Sequence, residues 1–159
     1  MRLLIYILVC MLVAGCASNG EKVAPQVEEA LYHFYTGESY SAEHKYYEAM
    51  EEFLKAEQLS AGTDKVVLNG QICWNKGCLY AAKMNYSNAL EMFSRALEYF
   101  ALAGSDVREY EMRTYEQIAK VYGVNGNVVE AVNYYGKAMD MAQQMRAKML
   151  FSPHDSLVI

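Results

Sequence analysis

The residues of this chain that could attack a substrate or hold a metal are few. They are Cys10, Cys16, Cys73 and Cys78, with His33, His44 and His154. Metal chemistry needs several such donors at fixed spacing, either two histidines one helical turn apart or paired Cys-x2-Cys hooks. Neither spacing occurs here. Cys73 and Cys78 are five residues apart, roughly 140° around a helix, so they face different ways and cannot readily bridge. They read as small apolar packing residues. Glu29 and His33 stand at i,i+4 and could pair on a helix surface. A glycine-rich phosphate loop and a nucleophile elbow are both missing from the sequence. The expectation is a protein that binds rather than catalyses, without metal or cofactor.

Cys16 is different, because of what precedes it. Arg2 is followed by the apolar run Leu3–Val13 and then by Ala14 and Gly15. Thirteen residues of helix rise about 20 Å, short of a hydrocarbon core of about 30 Å. A positive start, a short apolar stretch and a small-residue exit together read as a secretion signal. The exit Val13-Ala14-Gly15-Cys16 resembles the lipobox of bacterial lipoproteins. That resemblance implies cleavage before Cys16, a diacylglyceryl group on its sulfur and acylation of the new amino terminus. Two or three acyl chains, at about 0.8 kcal/mol per buried methylene, would anchor the chain stably. The alternative is an ordinary signal cut near Gly15-Cys16-Ala17, releasing a soluble periplasmic protein. The expected organisation is a signal peptide over 1–15, lipidated Cys16 with a linker to 25, a folded domain over 26–150 and a tail over 151–159. Ala17–Pro25 reach at most about 30 Å, so the domain is expected to work close to the membrane. Ala17 after the cysteine, in place of a retaining aspartate, points to the outer membrane facing the periplasm. The net charge is −5 and no basic run occurs, which excludes a phosphate-backbone partner such as nucleic acid.

The elements that would carry a binding surface are helices. Pro25 and Pro153 bracket a long stretch rich in Ala, Glu, Leu, Met and Lys, all good helix formers. Inside it one pattern recurs three times: Gly37, Tyr40, Ala49, Phe53, Ala56; Gly77, Tyr80, Ala89, Phe93, Ala96; Ala119, Tyr122, Ala131, Tyr135, Ala138. The pattern resembles the tetratricopeptide repeat, a helix–turn–helix unit with G-x2-Y on its first helix and A-x3-F on its second. The resemblance implies an all-α, right-handed superhelix of about three repeats, near 30–63, 64–104 and 105–150. The alanines recur at 40 and 42 residues, against about 34 for the usual unit, which resembles the extended subclass. Glycines 37 and 77 with Ala119 should let paired helices meet close to Ala49, Ala89 and Ala131. Tyr40, Tyr80, Tyr122 and Tyr135 are expected to pack. Lys76 stands where an apolar residue is expected. Gly126 falls in a turn, and Gly62 with Thr63 and Gly104 with Ser105 mark junctions.

Aligned on the family, the concave face would present Leu31, Phe34 and Glu38, then Gln71, Trp74 and Cys78, then Arg113, Glu116 and Lys120, with Gln117 as a further candidate. Trp74 flanked by Arg113 and Lys120 suggests an acidic or carboxylate-ended peptide. The Lys/Asn/Arg clamp of chaperone-binding members is incomplete, since Phe34 and Glu38 replace its first part. Ala138, Ala142, Met145 and Met149 form a stripe near the end of the last helix. The tail, a second copy in a homodimer, or another partner is expected to cover it. The function these features imply is that of a lipid-anchored envelope adaptor for a protein or peptide, serving outer-membrane or pilus-type assembly. The alternative is a shortened relative of a repeat-containing membrane sensor.

Overall fold

A computed structural model describes residues 25–104 and 107–151 and folds them into six α-helices. These are α1 Pro25–Ala42, α2 Tyr46–Ser60, α3 Val66–Ala82, α4 Tyr86–Ala103, α5 Arg108–Val124 and α6 Val128–Phe151. The signal, Cys16 and the residues after 151 lie outside the described residues. Pro25 opens α1, where its fixed φ suits a first turn and its missing N–H leaves nothing unpaired. Helices α1–α2, α3–α4 and α5–α6 form hairpins; α2 then packs on α3, and α4 on α5. Because α1 also touches α3, and α3 touches α5, the first helices of the three hairpins share one side. The expected all-α superhelical stack is the architecture observed.

One backbone device closes all three hairpins. The N–H groups of Lys45, Asn85 and Asn127 donate to the carbonyls of Tyr40, Tyr80 and Tyr122, each at 2.9 Å. The residue before each donor is left-handed: His44 at φ 60°, Met84 at 58° and Gly126 at 83°. This is the six-to-one closure that commonly ends a helix. It explains the constant nine-position step from tyrosine to alanine. Only Gly126 adopts this conformation without a Cβ penalty. Gly62 and Gly104 end α2 and α4 at φ 75° and 88°.

Close approach within the first two hairpins is set by rings lying over glycines. A Cβ on Gly37 would sit 2.8 Å from the Phe53 ring, and one on Gly77 would sit 2.7 Å from Phe93. A third pair, Gly70 and Phe100 at 2.5 Å, lies outside the recurring pattern. The glycines therefore make room for phenylalanines as well as for the buried alanines Ala49 and Ala89. All three rings are fully buried, each contributing about 1.5–3 kcal/mol.

Between hairpins, the leading residues of α3 (Leu68, Ile72, Lys76, Leu79) and of α5 (Thr114, Ile118, Val121) are buried against the preceding pair. Lys76, at an expected apolar site, is only 5% exposed. Its Nζ donates to Glu57 Oε2 at 2.5 Å, and Arg95 Nη2 donates to Glu57 Oε1 at 3.3 Å. One carboxylate thus ties α2, α3 and α4, and the buried ammonium, costly alone, is paired.

Three side-chain expectations are corrected. Tyr135 is 42% exposed instead of packed, because α6 has no later helix over it among the described residues. Its neighbour Tyr134 fills the interior, stacking on Tyr122 with centroids 5.5 Å apart. His33 pairs with Glu52 of α2 at 2.5 Å rather than with Glu29, since the packed neighbour helix shields that contact from water. The stripe expected on α6 is not one surface: Ala138 is buried, Ala142 exposed and Met145 half-buried, and the Met149 side chain lies outside the described residues. The helix turns a different stripe outward, consisting of Val128, Val132, Tyr135, Met139 and Ala142.

The ring-over-glycine contacts predict opposite signs for two similar substitutions. Gly77→Ala should lower stability by about 1–3 kcal/mol through overpacking. Gly123→Ala, whose Cβ would meet only Ala131 at 3.9 Å, should raise it by up to about 1 kcal/mol. Urea melts followed by circular dichroism check both.

Candidate functional site

The shared side of α1, α3 and α5 holds a cavity of about 360 Å³, lined by Phe34, Tyr35, Glu38, Gln71, Trp74, Asn75, Tyr110 and Arg113. Each of the three hairpins supplies part of its wall, so the cavity exists only in the stacked domain. A second, mainly apolar cleft of about 360 Å³ adjoins it through Gln71, with Val27, Leu31, Val66, Val67 and Leu68 and the charged pair Asp64 and Lys65.

Among the expected groove residues, Phe34, Trp74 and Arg113 come together in the first cavity. Phe34 is nevertheless a core residue, 4% exposed and against Phe53 with centroids 6.0 Å apart. Trp74 packs on the clusters of both the second and third hairpins. Its Nε1 is buried without a hydrogen-bond partner among the described residues, an orphan donor of a kind native proteins rarely leave. Leu31 lines the apolar cleft. Glu116 and Lys120 line neither cavity. They lie further along α5, where the Lys120 charge acts on the Cys78 thiol.

The cavity is polar in both senses rather than cationic. Partial desolvation raises the Glu38 carboxyl above its ordinary value, opposed by a hydrogen bond from Asn75. The Arg113 guanidinium donates to Glu109 at 2.6 Å, so its charge is already shared. Gln71 Nε2 donates to the Tyr110 hydroxyl at 2.8 Å, and Asn75 Nδ2 to the Gln71 carbonyl at 3.1 Å. Tyr110 in turn stacks on Phe100, with centroids 5.4 Å apart. These contacts fix the side chains before any ligand arrives. An amide-rich, mixed-charge wall with two tyrosines suits peptide main chain and a polar or dipolar side chain. It does not suit a purely anionic group.

Tyr35 and Tyr110 were not legible as wall residues. Tyr35 lies 40 positions before Asn75, and the repeat offset would have found it. Nothing in the pattern marks Tyr110. Among the described residues, no group of three or more His, Cys, Asp or Glu is placed to hold a metal ion.

No family model and no curated protein sequence matches the chain. Its backbone is similar to that of several solved structures. The tetratricopeptide-repeat domain of FLU from Arabidopsis matches with TM-score 0.69 and 18% identity, over 76% of this chain and 99% of that one. The N-terminal domain of stress-induced protein-1 from C. elegans matches with TM-score 0.63 and 13% identity, over 75% and 88%. BtubC from P. vanneervenii matches with TM-score 0.69 and 20% identity, over 90% of this chain and 57% of that one. At such identities the likeness is one of fold: the six helices stack as they do in tetratricopeptide-repeat domains.

Two thiols of α3, Cys73 buried and Cys78 half-buried, yield a check on the packing behind the site. Burial pushes Cys78 up to about 12 and also raises Cys73. At pH 8 about one Cys78 in ten thousand would be thiolate, against about a quarter of free cysteines. Because the folded state holds these protons, stability should fall as pH rises past about 8.5. Iodoacetamide at pH 8, read by peptide mapping, should leave Cys73 and Cys78 unmodified in the native chain and modify both in urea.

Proposed function

We propose that the chain is a lipid-anchored adaptor of the bacterial envelope that takes a protein or peptide segment into the groove along α1, α3 and α5. The observation that carries this reading is the preorganised cavity between Glu38, Trp74 and Arg113, with an apolar cleft beside it. An apolar side chain of the partner would enter the cleft at Leu31 and Val67. Its main chain would meet Gln71 and Asn75, and a polar or dipolar group would lie between Glu38 and Arg113. These are binding roles, and no step of covalent chemistry belongs to them.

Cys16 with its lipobox-like approach supplies the proposed attachment to the outer membrane, facing the periplasm. The linker after it keeps the groove within a few nanometres of the lipid. Partners are therefore proposed to be envelope proteins in outer-membrane or pilus-type assembly. Confinement to a surface raises their effective concentration without any new contact.

One experiment in living bacteria tests both parts. A photocrosslinking residue replaces Tyr35, which is 61% exposed and lies on the wall outside the core, while cells receive radioactive fatty acid. The expected result is a discrete adduct that Arg113→Glu abolishes, on a chain that carries label unless Cys16 is Ser. An adduct indifferent to Arg113→Glu would overturn the groove. An unlabelled wild-type chain would overturn the anchor.

A further inference from the structure

The repeat offsets identify what the outward stripe of α6 is. Forty-two residues earlier, Val132, Tyr135, Met139 and Ala142 correspond to Leu90, Phe93, Leu97 and Phe100 of α4. Those four residues are wholly or partly buried, and Phe93 and Phe100 are fully so. On α6 the same positions are open, with Val132 63% and Met139 61% exposed. Among the described residues, the stripe is a helix-stacking face without its helix.

Two features decide what covers it. The opposite end of the stack is not its complement. The leading positions of α1 are Glu28, Tyr32, Thr36 and Ser39, where α3 has Leu68, Ile72, Lys76 and Leu79. Head-to-tail stacking of copies would set carboxylate and hydroxyls against the apolar stripe. The stripe itself is compatible with its own copy. Val128, Val132, Tyr135, Met139 and Ala142 recur at steps of four, three, four and three, the spacing of a two-helix seam. Val129, Gly136 and Gln143 beside them add no charge, so two copies meet without like-charge repulsion although each carries −5 overall. Gly136 has open space at its missing Cβ and adjoins the exposed Tyr135, so each copy offers both a ring and a place to seat one. At 24 residues against 17 for α5, α6 is long enough to present the whole seam.

We propose that α6 pairs with α6 of a second copy about a two-fold axis centred near Tyr135, making the protein a homodimer whose two grooves lie outside the interface. Such isologous contacts are the commonest way for identical chains to associate.

The test is sedimentation equilibrium of the full chain in density-matched detergent at micromolar concentration. Wild type should sediment at twice the chain mass. Val132→Glu with Met139→Glu should sediment as a monomer, with helical circular dichroism retained because both sites are exposed. Leu102→Glu, at an exposed position of α4 away from the seam, should remain dimeric. Tyr135→Cys should form a disulfide-linked dimer on mild oxidation that wild type, with its native thiols, does not form. A monomeric wild type would overturn the proposal, whether the tail or another protein covers the face. A double variant that stays dimeric would overturn it too, as would cross-linking of Tyr135→Cys to Ser39→Cys of another copy.

Discussion

The close seating of aromatic rings over backbone that carries no side chain is the contact on which this molecule depends. Phe53, Phe93 and Phe100 lie where a Cβ on Gly37, Gly77 or Gly70 would stand. Interiors pack like crystals, so such contacts hold two helices at one separation and tolerate little else. With the first two hairpins fixed in this way, the second helix of each presents a defined face, and the next hairpin stacks on it. The Glu57 carboxylate, bound by Lys76 and Arg95, locks the first junction further. The result is three first helices in a row, and the groove is the space they leave.

The same logic explains how the two ends of the stack differ. The first helix faces outward with Glu28, Tyr32, Thr36 and Ser39, side chains that water can satisfy. The last helix faces outward with valines, a tyrosine and a methionine, as though another helix belonged there. Repeat proteins need a polar terminal surface to stay soluble. One end here mixes exposed tyrosine rings with a carboxylate and hydroxyls, and the other has a seam suited to its own copy. An adaptor built this way would carry two grooves, and two lipid anchors would hold it more firmly than one.

Much of this was legible in the residues. The thrice-repeated spacing gave hairpins and turns because backbone closure at Tyr40, Tyr80 and Tyr122 imposes a constant count. It also placed Trp74 beside Arg113. Pairings that depend on neighbours distant in sequence were not legible. Lys76 appeared misplaced because its counter-charge is 19 residues away on another helix. Gly70 with Phe100 lies outside the shared offsets. Tyr135 fits the packing pattern but has no following helix to pack on among the described residues, while Tyr134 beside it does the stacking. The groove's charge was misjudged for a related reason. Spacing put Glu38, Arg113 and Lys120 on one concave face alike, but only the fold leaves Glu38 and Arg113 in one cavity and carries Lys120 away from it.

Trp74 is the sole tryptophan of the chain, and it stands in the groove wall with a shielded indole N–H that has no partner among the described residues. Its fluorescence therefore reports the groove directly. The central claim is that a partner segment is bound there. When the protein captured from Tyr35 is purified and titrated against the chain, Trp74 emission should change saturably, with the midpoint found by calorimetry. Saturable heat with an unchanged Trp74 spectrum would place binding elsewhere and contradict the account.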